Sequence, residues 1–398
     1  MREMKDSSVE WLGEVPAGWE LHRAKHLFKL TNDRGNDDLT LLAATQKHGM
    51  WPQDRLEGVV HVKDDTDLSK FRTVHKNDYV ISLRSFQGGF ERSDFEGVCS
   101  PAYQTFCAIK PIDYQYFKYL FKSPSFIDHM NSLTLGIREG KTIKFDDFAT
   151  QALAVPPLDE QRRIANYLDG KCAEIDRAVS AAEKSIEELS LYRSARLEET
   201  IVKVSHEAPL EKLKYVLKES KDKSPDGTGE PLSITIARGV LRSAELSIPN
   251  PTSSLVGAKI VHAGDLVFNK LKAYYGVMYV SPYTGLISPE YAVYQAIDTE
   301  NTSLKYLEYV FHTAAVIDEF IIRISGVADG FRRLYTSDLF DIAVPVPSIE
   351  VQQNIVAELD DLYASIAESI EAKQAIIADL KVYKQSLIYE AVTGKREV

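Results

Sequence analysis

Apolar residues recur along two stretches of the chain at alternating steps of mostly four and three. The first stretch runs Ile164, Leu168, Cys172, Ile175, Val179, Ala182, Ile186 and Leu189; the second runs Ile355, Leu359, Tyr363, Ile366, Ile370, Lys373, Ile377 and Leu380. This spacing keeps a narrow apolar stripe on one side of an α-helix, and Lys373 is a polar break that could set its register. Pro156-Pro157 and Pro345-Val346-Pro347 hold the preceding chain extended, while Asp159-Glu160 and Glu350 put negative charge on the first turn. Ser348 is a candidate N-cap, and Pro209 and Gly394 are candidate stops. A continuous helix from Asp159 to Lys203 would be about 65 Å long. Helices of that length have no core of their own, so each stripe needs a partner. An antiparallel coiled coil satisfies both, since the first helix carries the chain away from one domain and the second carries it back. Each buried seam residue contributes roughly 1.5 to 3 kcal/mol.

The two stretches belong to a longer repeat. At an offset of 191, Gln161, Ile164, Leu168, Asp169, Ile175, Leu189, Tyr192 and Glu199 fall on Gln352, Ile355, Leu359, Asp360, Ile366, Leu380, Tyr383 and Glu390. Upstream, Val74-His75-Lys76-Asn77-Asp78 answers Val261-His262-Ala263-Gly264-Asp265, and Ser100-Pro101-Ala102-Tyr103 answers Ser288-Pro289-Glu290-Tyr291. The period is far longer than a solenoid unit, so the chain is a duplicated module of a globular domain followed by a helix. Short β-rich runs at 79–83, 105–109, 265–268 and 292–297, each bounded by turn residues, and helices at 115–121 and 304–312 make the globular parts α+β. The expected architecture is α+β, with two domains in a pseudo-twofold arrangement separated by two long antiparallel coiled-coil helices. Its boundaries are 1–156 for the first domain, 157–207 for the first helix, 208–346 for the second domain and 347–398 for the second helix.

Length and composition agree with two domains: 398 residues, 44% hydrophobic and 10% aromatic. The net charge of -11 looks unsuited to nucleic acid. Much of it lies in the helical segments, where 157–207 holds 8 basic and 11 acidic residues and 347–398 holds 5 and 9. Cys99, Cys107 and Cys172 form no C-x-x-C pair and read as reduced thiols. Neither a secretory signal nor an apolar run long enough for a membrane span is found, so a soluble cytoplasmic protein is expected.

Catalytic patterns are missing. A methyltransferase would need a glycine-rich cofactor turn and an Asn/Asp-Pro-Pro-Tyr type loop. The Ser100-Pro101-Ala102-Tyr103 and Ser288-Pro289-Glu290-Tyr291 segments lack its leading amide or carboxylate and read as turns. There is no phosphate loop, and the nine histidines fall singly, without metal-ligand spacing. His75 and His262 occupy matching places before a strand and read as turn residues. No cofactor and no metal are expected.

Binding remains. Leu83-Arg84-Ser85-Phe86-Gln87-Gly88-Gly89 follows a strand and combines a bidentate donor at Arg84, a hydroxyl at Ser85, an adenine-pairing amide at Gln87 and an aromatic. Its counterpart, 269–276, carries Lys270, Lys272, Tyr274 and Tyr275. A second matched pair, 136–141 and 326–333, sets Arg138 and Lys141 against Arg332 and Arg333 beside glycines that allow backbone to approach phosphate. Charged loops are often merely solvated, but these eleven residues come in matched sets.

Trp11-Leu12-Gly13-Glu14-Val15-Pro16 with Trp19, the segment Val155-Pro156-Pro157-Leu158-Asp159-Glu160-Gln161-Arg162-Arg163-Ile164, and the duplicated domain-helix order together resemble the specificity subunits of type I restriction–modification enzymes. The second helix start departs from the pattern, with Val351 between Glu350 and Gln352, although Gln352 and Ile355 keep register with the first copy. The resemblance implies a non-catalytic subunit whose partners are double-stranded DNA, two modification (methyltransferase) subunits and restriction subunits. Each domain would read half of a bipartite, asymmetric site, and the helices would set the spacer and dock the modification subunits. Adenine methylation and ATP-driven cleavage would belong to the partners. Two competing readings are a coiled-coil scaffold that binds protein alone and a degenerate adenine methyltransferase.

Overall fold

A computed structural model of the chain describes residues 2–36, 38–45, 48–56, 68–82, 89–133, 143–246, 255–324 and 333–398. It divides into two compact units, Met1–Glu183 with Gln374–Val398, and Lys184–Lys373.

The first unit contains β1 (Met4–Asp6), β2 (Glu14–Pro16), β3 (Glu20–Arg23), β4 (Phe28–Thr31), β5 (Leu42–Thr45), β6 (Gly49–Pro52), β7 (Arg72–Val74), β8 (Tyr79–Ile81), β9 (Phe90–Arg92), β10 (Gly97–Cys99) and β11 (Gln104–Ala108). Helices α1 (Tyr114–Lys122), α2 (Pro124–Ser132) and α3 (Phe145–Ala149) follow, then β12 (Ala152–Val155) and the start of α4 (Leu158–Ser205). Its main sheet has the order β4-β11-β8-β9, flanked by the pairs β5-β6, β7-β10 and β3-β12. Phe28, Tyr79, Phe106, Phe117, Phe121 and Phe148 fill one core against this sheet, with ring centroids 5.2–6.2 Å apart in several edge-on and tilted pairs. Edge-on packing of this kind adds to simple area burial.

The second unit repeats the plan. It holds β13 (Leu210–Lys212), α5 (Leu213–Val216), β14 (Leu217–Glu219), β15 (Leu232–Thr235), β16 (Gly239–Arg242), β17 (Lys259–Val261), β18 (Leu266–Phe268), β19 (Met278–Val280), β20 (Gly285–Ile287) and β21 (Ala292–Ala296). After them come α6 (Leu304–Phe311), α7 (Ala314–Arg323), α8 (Thr336–Phe340), β22 (Ala343–Pro345) and the start of α9 (Ile349–Val392). Its main sheet is β14-β21-β18-β19, flanked by β15-β16, β17-β20 and β13-β22. The repeat extends to single hydrogen bonds. Asp78 Oδ2 accepts from His75 N at 2.9 Å, and Asp265 Oδ2 from His262 N at 2.8 Å. Both histidines thus sit in carboxylate-closed turns. Asn77 and Gly264 make the same left-handed bend, at φ 74° and 96°.

Helix α4 begins and ends within two residues of the expected Asp159–Lys203, while α9 starts just after Ser348 and ends at Val392, short of the expected 398. The two pair antiparallel within each unit. In the first, Asp176 meets Lys384 and Glu183 meets Lys381. In the second, Arg196 meets Glu358 and the Arg193 guanidinium lies 5.2 Å from the Tyr363 ring centre. Rising numbers on one helix meet falling numbers on the other. Along the seam Ile164, Leu168, Ile175, Ile355, Leu359, Ile366 and Ile377 are buried, while Val179, Ile186, Leu189, Ile370 and Leu380 are half-buried.

The stripe alone does not show that the helix ends belong to the globular cores. Ile164, Leu168, Cys172 and Ile175 pack with Leu387, Ile388, Ala391 and Val392 in the same core as Trp11 and Trp19. Leu197, Ile201, Ile355 and Leu359 do the same in the second unit. Residues 11–19 close over the C-terminus of α9. Lys395 Nζ donates to Leu12 O at 3.1 Å, and a Cβ on Gly394, which has φ 74°, would lie 2.4 Å from the Pro16 ring. Arg2 joins both helix ends, donating to Gly394 O at 2.6 Å and to Glu160 at 2.5 Å.

Candidate nucleic-acid interface

Of the eleven candidate binding residues, Arg84, Ser85, Gln87, Arg138, Lys141 and Arg332 lie outside the described residues. The flanks of 83–88 are described: β8 and β9 pair antiparallel, and Ser82 N donates to Gly89 O at 2.9 Å. That hairpin takes the same place in its sheet as β18-β19 does in the second unit.

The loop joining β18 and β19 is described throughout. Asn269 Oδ1 accepts from Leu271 N at 3.1 Å and starts a short 3-10 turn over Lys270–Tyr275. Gly276, at φ 63°, ends it, in a conformation that side chains with a Cβ rarely adopt. His312 Nε2 donates to Gly276 O at 2.7 Å, which anchors the turn to the end of α6. Ala273 is buried, so its neighbours point outward. Lys272 is exposed, as are Tyr274 and Tyr275, whose ring centres lie 4.3 Å apart. An ammonium beside two exposed aromatic faces can neutralise phosphate and stack on bases.

Lys270 has a different environment. It is half-buried, with Nζ 3.4 Å from Glu219 Oε1, which Lys259 Nζ also meets at 2.8 Å. Thr336 Oγ1 donates to the other Glu219 oxygen at 2.7 Å. Burial pushes the Glu219 carboxyl up, but the hydrogen bonds from Lys259 and Thr336 and the charges of Lys259 and Lys270 outweigh it and hold it below its ordinary value. Leu334 N donates to Lys270 O at 3.1 Å. Leu334, next to Arg333, thus lies at the start of the 270–275 turn. Arg333 itself is ion-paired with Glu290. Glu219 and Lys259 were missed from sequence, because each lies on a strand 40 residues from the other with no local motif.

Among the described residues no group of three His, Cys, Asp or Glu could hold a metal ion. Among them, too, no helix is long and apolar enough to cross a membrane. A cavity of about 530 Å³ in the second unit is lined by Lys218, Asp265, Gln295 and Lys305 among others. Asp265 is already committed there, accepting from Gln295 Nε2 at 3.0 Å.

Residues 16–182 match the family described as type I restriction modification DNA specificity domain. Among solved structures, a chain from work on complex assembly and conformational transition of the type I R-M system is 18% identical. The two align over 95% of this chain and 98% of that one, with a TM-score of 0.72. The HsdS subunit from Thermoanaerobacter tengcongensis is 17% identical over 96% and 98% of the two chains, with a TM-score of 0.56. No curated protein matches by sequence.

Proposed function

We propose, from the premise that residues 16–182 belong to the type I restriction modification DNA specificity domain family, that this DNA-recognition subunit reads a bipartite, asymmetric target. Domain 1–156 takes one half and domain 208–346 the other. Segments 157–207 and 347–398 set the spacer and dock two modification subunits, with restriction subunits joining outside them. The subunit works in the cytoplasm and carries no catalysis. Methylation and cleavage reside in its partners.

The carrying observation is the repetition of one hairpin at the same sheet position in both units, with unlike loop chemistry on each. A duplicated scaffold with diverged loops is what reading two different half-sites requires. Lys272, Tyr274 and Tyr275 are the exposed part of the second reader, and Arg84, Ser85 and Gln87 are its first-domain counterparts. Arg138, Lys141, Lys270, Arg332 and Arg333 position backbone around them. Selection from a random duplex pool by the full complex tests this: Lys272→Ala or Tyr275→Ala should relax preference in one half of the motif only. Loss spread evenly over both halves would contradict it, and binding without any sequence preference would favour a protein-binding scaffold.

A further inference from the structure

The two units share a cross-strand pair of like charges. In the first, Arg34 forms an antiparallel bridge with Arg72; in the second, Lys223 forms the equivalent bridge with Lys259. The positions correspond, because Arg72 opposes Cys99 in the β7-β10 pair and Lys259 opposes Ile287 in β17-β20. Residues directly opposite on antiparallel strands hold their Cβ atoms within roughly 5 Å, so two cations there repel unless an anion lies between or beside them.

The second unit supplies its own anion, since Glu219 pairs with Lys259 at 2.8 Å. In the first unit the matching position holds Leu30: Leu30 opposes Phe106 as Glu219 opposes Tyr294. Arg34 is exposed and makes no hydrogen bond or ion pair among the described residues. Arg72 is half-buried and spends its donors on neutral oxygens, Asn32 Oδ1 at 2.7 Å and Pro101 O at 3.3 Å. Burial and the Arg34 charge hold it below its ordinary value. Asp33, the nearest acidic neighbour in sequence, lies 3.5 Å from His75 Nε2.

We infer that Arg34 and Arg72 clasp a phosphate of the bound duplex, an external anion standing where Glu219 stands in the second unit. The inference rests on the DNA-recognition reading above. In the second unit, Glu219 reaches both Lys259 and Lys270, so this position adjoins the start of the reading loop. A phosphate held there would fix the backbone beside the loop without specifying a base.

The test measures binding of the full-length protein, copurified with its modification subunits, to a random-sequence duplex pool across sodium chloride concentrations. For Arg34→Ala the slope of log affinity against log salt should fall by about 0.9, the share of one neutralised phosphate. Affinity should weaken equally on matched and mismatched duplexes, with an unchanged melting temperature. Arg34→Lys should restore the slope. An Arg34→Ala protein with wild-type slope and affinity overturns the clasp while leaving DNA recognition intact, and so does a changed preference at a single base. A wild-type complex with no salt-dependent binding sinks the recognition reading itself.

Discussion

Lys384 of α9 sets its ammonium between the two carboxylate oxygens of Asp176 of α4, 2.7 Å from each. The pair lies on the rim of the seam, with Asp176 well exposed. Its position fixes which turn of one helix faces which turn of the other in the first unit. The holding energy comes from elsewhere, since exposed ion pairs contribute only about 0–1 kcal/mol.

A double-mutant cycle of Asp176→Ala and Lys384→Ala should therefore give a coupling below about 1 kcal/mol that shrinks further in high salt. Leu168→Ala and Leu359→Ala, which empty fully buried seam positions, should each cost about 2–5 kcal/mol in urea unfolding. A large coupling with cheap leucine deletions would reverse this assignment.

Gln161 and Gln352 do the same work in the two copies. Each Oε1 accepts a backbone N–H at 2.8 Å, from Asp113 and Ser303, and each Nε2 donates back to a proline carbonyl, at Pro156 and Pro347. The glutamine thus ties the helix start to the chain before α1 or α6, which gives the motif residue a structural role. Replacing either by Ala strands buried partners and should cost about 1–3 kcal/mol, read by thermal or urea unfolding.

Glu91 is buried against Lys122, and burial pushes its carboxyl up from 4.5 to about 7 despite that lysine. Between these values the folded chain binds more protons at this site than the unfolded chain, so this group's contribution to stability declines as pH rises through that window and is flat above it. Melting curves across the window should show this slope flattened in Glu91→Gln. An identical slope would place the proton uptake elsewhere.

Removing one heptad from each long helix, at matched seam positions, shortens the pair by about 10 Å, roughly three base pairs of duplex. If the helices act as a ruler, the preferred spacer should contract accordingly in a binding selection, with both half-sites unchanged.

The long helices were legible because a stripe of one period repeats over many turns, and proline and glycine punctuate it. The ends of α4 followed to within two residues, while α9 stops at Val392, short of 398. Less legible was which core the helix ends join: Leu387, Ile388 and Ala391 share one with Trp11 and Trp19, hundreds of residues away, and no local pattern encodes that. The candidate loops were picked out as matched basic-aromatic segments, of which 269–276 is described throughout. That Lys270 is held by Glu219 while Lys272 and Tyr275 face outward depends on strand pairing and on the turn that buries Ala273. The short helices α2, α3, α5, α7 and α8 also escaped notice, since four to ten residues carry too little periodicity.

The most direct measurement is the map of methylated adenines in cells that express this chain with the modification subunits proposed as its partners. Two unlike specific half-sites separated by a spacer of fixed length and free sequence are predicted, with exchange of residues 208–346 for those of a relative rewriting one half alone. A single contiguous motif, or a spacer of variable length, would contradict the account.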